Sequence, residues 1–135
     1  MYQPKRTKFR KFQKGRARGV VSNMDTLKFG KFGIKTLQAA RIRSQTIEAI
    51  RRIITRKLKR TGVVWIRVFP DISVSSKPAE VRMGKGKGSP DFWACRVKKG
   101  QILFEIDGVT STMAMQAVKA AKYKLPVSTK YISLS

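Results

Sequence analysis

The chain has 135 residues, of which 41% are hydrophobic, so it can fold as one domain around an apolar core. Its charges are one-sided, because 31 Lys and Arg face only 7 Asp and Glu, and the net charge is +24. Uncompensated positive charges repel one another in a compact state, so we expect a polyanionic partner. Nucleic acid is the first candidate and an anionic membrane surface is the second.

The supply of reactive side chains excludes several function classes. The chain contains one cysteine, Cys95, and no histidine. An internal disulfide, a thiolate metal cluster, the usual zinc sites and a Ser-His or Cys-His catalytic pair are therefore excluded. The acids are scattered in a spacing that indicates neither a metal site nor an acid–base pair. No apolar run approaches the roughly 20 residues of a membrane span, and the start lacks the apolar segment of a secretory signal, so we expect the mature protein to begin here.

Residues 1–23 are predicted to form a basic N-terminal arm. The segment is rich in Lys and Arg, and Phe9 and Phe12 are interleaved among the cations. Such arms do not pack on themselves and usually order against nucleic acid; a solvated tail is the alternative. The cations that we expect to contact RNA are Lys5, Arg6, Lys8, Arg10, Lys11, Lys14 and Arg16.

Short strands and then a helix are predicted after the arm. From Thr26 onward, Leu27 and Phe29 alternate with polar residues and two glycines interrupt, which favours one or two short, bent strands. Ser44 is suited to cap a helix over residues 45–60. The buried face of this helix is predicted from apolar residues at helical spacing, which are Ile47, Ile50, Ile54 and Leu58.

The same helix carries a stripe of positive charge. Arg52, Arg56 and Lys59 lie on a different face from the apolar residues, and Gly62 follows the end of the helix. Glu48 is the only acid in the helix. Because a merely solvated face normally mixes charges of both signs, we predict that this stripe binds RNA.

Further strands are predicted from apolar and β-branched runs. Residues 63–69 are β-branched and aromatic and predict a central strand, while residues 72–75 predict a short edge strand. Residues 92–97 and 102–106 are predicted to pair as a hairpin through a link at 98–101.

The last part of the chain predicts a second helix and a final strand. A hydroxyl residue at 110–112 can cap the helix, which runs to about Lys124 and must end before Pro126. Residues 127–131 alternate as a strand. The order of elements predicts an α+β fold, with a mainly antiparallel sheet and two helices packed on one face, as a single domain over residues 24–135.

A loop that alternates glycine and lysine follows the predicted edge strand. Its glycines would let backbone approach a phosphate closely, and its lysines would place ammonium groups beside it. A nucleotide-binding P-loop needs Gly-x-x-x-x-Gly-Lys-Ser/Thr before a helix, whereas residues 84–89 read Gly-x-Gly-x-Gly-Ser before Pro90 and a strand. We therefore favour a loop that contacts RNA phosphates through Arg82, Lys85 and Lys87 over a nucleotide-dependent enzyme or a flexible exposed loop.

The aromatic side chains divide into two predicted groups. Trp65 and Trp93 lie within strands and are expected in the core, where Cys95 is expected as a small apolar residue. The side chains predicted to be available for stacking on bases are Phe9, Phe12, Phe29 and Phe32.

Several blocks of the sequence resemble the ribosomal protein L16 family of the bacterial and organellar large subunit. The blocks occur in family order and cover nearly the whole chain. They include residues 3–11, Phe-Gly-x-Phe-Gly at 29–33, Gln-x-x-Glu-Ala-x-Arg-Arg at 45–52, Trp-Ile-Arg-Val-Phe-Pro-Asp at 65–71, the Gly/Lys segment at 77–88 and Gly-Gln-Ile-Leu-Phe-Glu-Ile-Asp-Gly-Val at 100–109.

This resemblance implies a non-enzymatic constituent of the large ribosomal subunit, without a cofactor. Its implied partners are large-subunit rRNA near the aminoacyl-tRNA site, transiently the tRNA in that site, and neighbouring ribosomal proteins, with no membrane and no homo-oligomer. It further implies roles in tRNA positioning and late subunit assembly. The N-terminal arm matches the RNA-inserted tail of the family, and the loop that reaches toward the peptidyl-transferase and tRNA region corresponds to Arg82, Met83, Lys85 and Lys87.

The likeness to organelle-encoded members favours a ribosome in the mitochondrial matrix, then in the plastid stroma. A ribosome in the bacterial cytoplasm remains open.

Overall fold

The computed structural model describes residues 2–11, 26–75 and 90–134. In these three ranges the chain forms seven strands and two helices. In chain order they are β1 (Phe32–Thr36), β2 (Ala40–Arg43), α1 (Ser44–Lys57), β3 (Val63–Ile66), β4 (Ile72–Ser75), β5 (Pro90–Val97), β6 (Ile102–Asp107), α2 (Ser111–Lys122) and β7 (Thr129–Ser133).

The strands form two antiparallel sheets. One sheet has the order β3-β6-β1-β7 and the other has the order β2-β5-β4. The two helices pack against each other, α1 also contacts β2, β3 and β5, and α2 contacts β1 and β7. The predicted α+β class, with antiparallel strands and two helices, is confirmed, and the structure adds that the strands are divided between two sheets.

The predicted buried face of α1 is confirmed. Ile47, Ile50 and Ile54 have no exposed surface, and Leu58 is buried just beyond the helix. Each such side chain contributes roughly 1.5–3 kcal/mol by its removal from water. The facing helix, α2, presents small residues such as Ala117, whose size lets the two helices approach closely. The core therefore holds α1 in one orientation and fixes which of its faces is exposed.

The hairpin predicted across residues 92–106 is wrong, because β5 and β6 belong to different sheets. The link between them folds on itself: the Gln101 N–H donates to the Lys98 carbonyl at 3.2 Å, and Gly100 adopts φ 91°. The link then pairs with the end of β1. The Gly100 N–H donates to the Thr36 carbonyl at 2.8 Å, and the Thr36 N–H donates to the Gln101 carbonyl at 2.9 Å. These bonds carry the chain from one sheet into the other.

The prediction of a central strand over residues 63–69 is also wrong, both in the position of the strand within the sheet and in its length. In the described structure β3 ends at Ile66 and lies at one edge of its sheet. Val63 and Phe69 are about half exposed, as edge residues are. A β-branched run indicates a strand but does not reveal how many neighbours the strand has. The short edge strand predicted at 72–75 is confirmed as β4.

The two helix starts differ in their capping. Ser44 is the first helical residue of α1 rather than its N-cap; Arg43 holds that position, without a side-chain cap bond, because β2 leads directly into the helix. In α2 the prediction is confirmed, since the Thr110 hydroxyl oxygen accepts a hydrogen bond from the Met113 N–H at 3.3 Å. In the part of the chain that the structure describes, neither helix is long and apolar enough to cross a membrane.

Candidate nucleic-acid interface

An open, positively charged groove lies along the exposed side of α1 and is called the cationic groove below. It has a volume of about 490 Å³. Five of its six lining side chains are cations; the lining consists of Arg51, Arg52, Thr55, Arg56, Lys59 and Arg60. The groove brings together all three residues of the predicted stripe, Arg52, Arg56 and Lys59. Because the groove is open rather than enclosed, it can bind an extended anion that would not fit into a pocket.

Glu48 is the single acid of α1, and it is held by arginines. Its carboxylate lies 2.6 Å from Arg51 Nη2 and 3.1 Å from Arg52 Nε. The hydrogen bond from Arg51, followed by one from the Tyr2 hydroxyl, lowers the pKa of Glu48 from its ordinary 4.5 to about 2. This carboxylate therefore stays charged and fixes the two arginines at the start of the cationic groove. It neutralises only one of the groove's five positive charges.

The end of α1 places two cations at backbone positions that favour glycine. Lys59 has φ 53° and Arg60 has φ 64°. The Lys59 N–H donates to the Arg56 carbonyl at 3.1 Å and the Arg60 N–H donates to the Thr55 carbonyl at 3.3 Å. This pair of bonds is a Schellman motif, in which the residue after the C-cap, here Lys59 after Leu58, is usually Gly because a side chain there is strained. The two side chains that line the end of the groove are therefore held in a left-handed backbone conformation.

The described part of the basic arm, residues 2–11, lies on the folded domain at both of its ends. Near its start, Tyr2 packs against the core and hydrogen bonds with Glu48. Near its end, the Arg10 carbonyl accepts a hydrogen bond from the Ser73 hydroxyl in β4. The predicted RNA-binding cations between and beside these anchors, which are Lys5, Arg6, Lys8, Arg10 and Lys11, have exposed side chains. The arm thus adds positive surface close to the start of α1.

Other predicted site residues lie outside the described residues. They are Phe12, Lys14 and Arg16 in the arm and Arg82, Met83, Lys85 and Lys87 in the Gly/Lys loop.

Two groove cations were missed by reasoning from the sequence. Arg51 lies beside Arg52, and its helical spacing to Thr55 places both on one face, which the pattern could have indicated. Arg60 lies four residues after Arg56, so the helix predicted over residues 45–60 would have placed it on the same stripe as Arg52 and Arg56. In the structure α1 ends at Lys57 rather than at residue 60, and Arg60 reaches the groove from the left-handed turn that follows the helix.

The aromatic residues predicted to stack on bases differ in their exposure to solvent. Phe9 and Phe29 are largely exposed, with 66% and 58% of their surfaces accessible. Phe32 is buried and its ring stacks on Tyr131. The prediction that Phe32 is available for stacking on bases is therefore wrong. Trp65, expected in the core, is only half-buried and stacks on Phe29 with ring centres 6.0 Å apart.

Within the described ranges, no group of three or more Cys, Asp or Glu side chains is placed to hold a metal ion. Cys95 is buried, and burial together with the nearby charge of Asp71 raises the pKa of its thiol to about 11. The cationic groove offers electrostatic and hydrogen-bonding recognition of an anion, because five of its six lining side chains are cations.

Comparison with known proteins identifies the family. Residues 4–132 match the family described as Ribosomal protein L16p/L10e. The chain is 64% identical to the "Large ribosomal subunit protein uL16m" of Prototheca wickerhamii, over 135 residues that cover both chains completely. It is 59% identical to the "Large ribosomal subunit protein uL16" of Maricaulis maris, over 98% of this chain and 97% of that protein. The protein of the same name from Rhodopseudomonas palustris is 57% identical, with the same coverage.

Proposed function

Because the chain belongs to the ribosomal protein L16p/L10e family, we propose that its cationic groove and basic arm bind large-subunit rRNA near the aminoacyl-tRNA site. As a member of this family, the protein is a structural, non-enzymatic constituent of the large ribosomal subunit. In that position it supports the placement of the incoming tRNA and joins the subunit late in assembly. These finer roles follow from the family resemblance of the sequence blocks.

The observation that carries the proposal is the composition of the cationic groove. Five cations line one open surface along α1 and the turn that follows it, and the adjacent Glu48 is engaged by Arg51 and Arg52. A phosphate backbone that enters this groove meets several positive charges at once and releases its condensed counterions. Arginine also binds phosphate oxygens through two parallel hydrogen bonds, which suits an irregularly folded RNA.

The arm extends this surface toward β4. Its five described cations are exposed, and Tyr2 connects its start to Glu48 at the groove. We assign these cations, together with Lys14 and Arg16, to the same rRNA. The loop residues Arg82, Met83, Lys85 and Lys87 are proposed to reach toward the peptidyl-transferase and tRNA region.

The relatives favour an organellar ribosome as the location of this protein. The relative from Prototheca wickerhamii carries the mitochondrial form of the protein name, and it shares more residues with this chain than the two bacterial relatives do. We therefore favour the mitochondrial matrix, with a bacterial source close behind. In the ribosome, the proposed partners of the protein are rRNA, the tRNA of the aminoacyl site and neighbouring ribosomal proteins. We propose neither a membrane-bound nor a homo-oligomeric form.

The salt dependence of rRNA binding tests the proposal. The affinity of the full chain for large-subunit rRNA is measured over a range of KCl concentrations, for the wild type and for Arg56→Gln. Each lost phosphate contact lowers the slope of log affinity against log salt by roughly 0.7–0.9. Arg56→Gln is therefore expected to lower the slope by about one unit. Lys130→Gln is the matched control, since Lys130 is an exposed cation on β7, at the other edge of the sheet from β3.

Two results would overturn the proposal. One is an equal salt slope for Arg56→Gln and the wild type. The other is sedimentation of the chain with small subunits or free of ribosomes. Binding of the chain to anionic liposomes, or tight ATP binding that survives moderate salt, would favour a membrane protein or a nucleotide-dependent enzyme instead.

A further inference from the structure

A buried carboxylate organises the loop that precedes β1. One oxygen of Glu105, Oε1, accepts hydrogen bonds from three successive backbone N–H groups, those of Lys28 at 2.9 Å, Phe29 at 2.9 Å and Gly30 at 3.1 Å. Glu105 lies on β6 and has no exposed surface. The loop is therefore wrapped around a charge that the sheet holds in place.

The second oxygen of Glu105 is paired with an arginine. Arg67 Nη1 lies 3.2 Å from Glu105 Oε2, and the two side chains are 10% and 0% exposed. The same nitrogen donates a hydrogen bond to the Thr26 carbonyl at 2.8 Å. Arg67 thus ties the beginning of the loop to the buried carboxylate through an ion pair, since Glu105 Oε2 has no hydrogen-bond partner among the described residues.

These bonds fix an exposed aromatic pair. The ring of Phe29 lies over Trp65, with centroids 6.0 Å apart and planes inclined by 22°. The guanidinium carbon of Arg67 is 5.9 Å from the centre of the Phe29 ring. Although the Phe29 ring is stacked on Trp65, 58% of the surface of Phe29 is accessible to solvent. We call Phe29, Trp65 and Arg67 the aromatic platform.

The backbone leaves this loop little freedom to move. A Cβ atom on Gly30 would lie 2.6 Å from the Ile106 carbonyl oxygen, so the loop is seated directly on β6. An exposed phenylalanine in a free loop has to be ordered when it binds, whereas Phe29 is already fixed. Lys28 and Lys31, which are close to Phe29 in the sequence, are exposed and positively charged.

We propose that the aromatic platform stacks an unpaired base of large-subunit rRNA on Phe29, and that Glu105 is the positioning residue that holds the platform. The inference rests on the proposed rRNA-binding function. Single-stranded RNA is recognised by stacking splayed bases on aromatic side chains, and cations beside the ring attract the phosphates that flank such a base. A fixed, exposed ring with two exposed lysines close to it in the sequence, on a strongly basic protein, meets both requirements.

The test compares two exposed phenylalanines in the full chain. Phe29→Ala is expected to lower the affinity for large-subunit rRNA roughly 5- to 150-fold at constant salt. Its salt slope should equal that of the wild type, because a stacked base releases no counterions. Phe29→Trp should keep most of the affinity. Phe69→Ala is the control: Phe69 follows β3 and is 49% exposed, but it is not part of the platform.

A double-mutant cycle tests the role of Glu105. Glu105→Gln keeps the size of the side chain but removes its charge, and it should weaken binding through the platform. If so, adding Glu105→Gln to Phe29→Ala causes little further loss of affinity. A merely structural role would give losses that multiply. Circular dichroism checks that Glu105→Gln folds; if it does not, the Phe29 series alone decides the proposal.

The outcomes separate this inference from the proposed function. If the wild type binds rRNA with a steep salt slope but Phe29→Ala binds as Phe69→Ala does, the platform is not a base-stacking site and only this inference is overturned. If the wild type shows no salt-sensitive rRNA binding, the proposed function itself fails. A Phe29→Ala variant that loses both affinity and salt slope would also contradict stacking.

Discussion

Replacement of Lys59 by glycine should make the protein more stable while weakening its binding to RNA. Lys59 follows Leu58, the C-cap of α1, and has φ 53° in a Schellman motif. A side chain in this left-handed conformation costs roughly 1–2 kcal/mol, and glycine avoids that cost. Lys59 nevertheless contributes one of the five cations that line the groove.

The expected size of the effect follows from these two roles. Glycine is more flexible in the unfolded chain, which offsets part of the relieved strain, so a net gain of about 1 kcal/mol in the free energy of unfolding is expected. For a chain of 135 residues this corresponds to a rise in Tm of about 4 °C. Loss of one phosphate contact should lower the salt slope of rRNA binding by roughly 0.7–0.9.

Guanidinium unfolding and filter binding at several KCl concentrations measure the two effects. Lys57→Gly is the matched control, because it removes the same charge two residues earlier, where the backbone is still helical. A glycine within a helix costs about 0.5–1 kcal/mol, so the two variants should change stability in opposite directions. Because both remove one positive charge, relief of charge repulsion cannot explain a difference between them.

A Lys59→Gly variant that is no more stable than Lys57→Gly would refute the reasoning about backbone strain. A variant that is more stable but binds rRNA with an unchanged salt slope would refute the role of Lys59 as a phosphate contact.

Two further predictions concern titratable groups. The pKa of Glu48 is lowered in the folded state, so its stabilising effect is full above about pH 4.5 and is lost as the pH falls toward 2. Glu48→Gln should therefore have a free energy of unfolding about 1 kcal/mol lower than that of the wild type at pH 7, a value already reduced for solvent screening of the arginine partners. The difference, measured by urea unfolding, should vanish near pH 2. A difference that stays constant with pH would contradict this. Burial raises the pKa of Cys95 from 9.0 to about 11, which lowers its thiolate fraction at pH 8 on the order of a hundredfold. Iodoacetamide at pH 8 should therefore alkylate the folded protein on the order of a hundred times more slowly than the unfolded chain, and equal rates would contradict this placement.

Local patterns in the sequence predict the helices well. The isoleucines of α1 recur at helical spacing and occupy the core, and Thr110 caps α2 as expected. The stripe of Arg52, Arg56 and Lys59 is one exposed surface because the helix is fixed by its opposite face. Where a feature depends on the spacing within one helix, the residues within a few turns determine it. The cap of α1 is an exception, because β2 leads directly into the helix and places Arg43 rather than Ser44 at the N-cap.

Features that depend on distant partners could not be predicted in this way. The link at 98–101 has the length of a hairpin turn, but its Gly100 and Gln101 bond to Thr36 at the end of β1. The strand β2 contains a single buried residue, Ile42, and is defined by its pairing with β5. Glu105 looks like an ordinary acid in an apolar run, and only the fold brings the N–H groups of residues 28–30 to it.

Chemical footprinting of large-subunit rRNA tests the central claim most directly. The full chain is bound to the rRNA, and protected nucleotides are mapped for the wild type and for a variant with Arg52, Arg56 and Lys59 all replaced by Gln. We expect the wild type to protect a cluster of nucleotides around the aminoacyl-tRNA corridor, and the variant to lose that protection. Protection scattered over the rRNA, or an unchanged cluster in the variant, would contradict the assignment of the cationic groove as the rRNA interface.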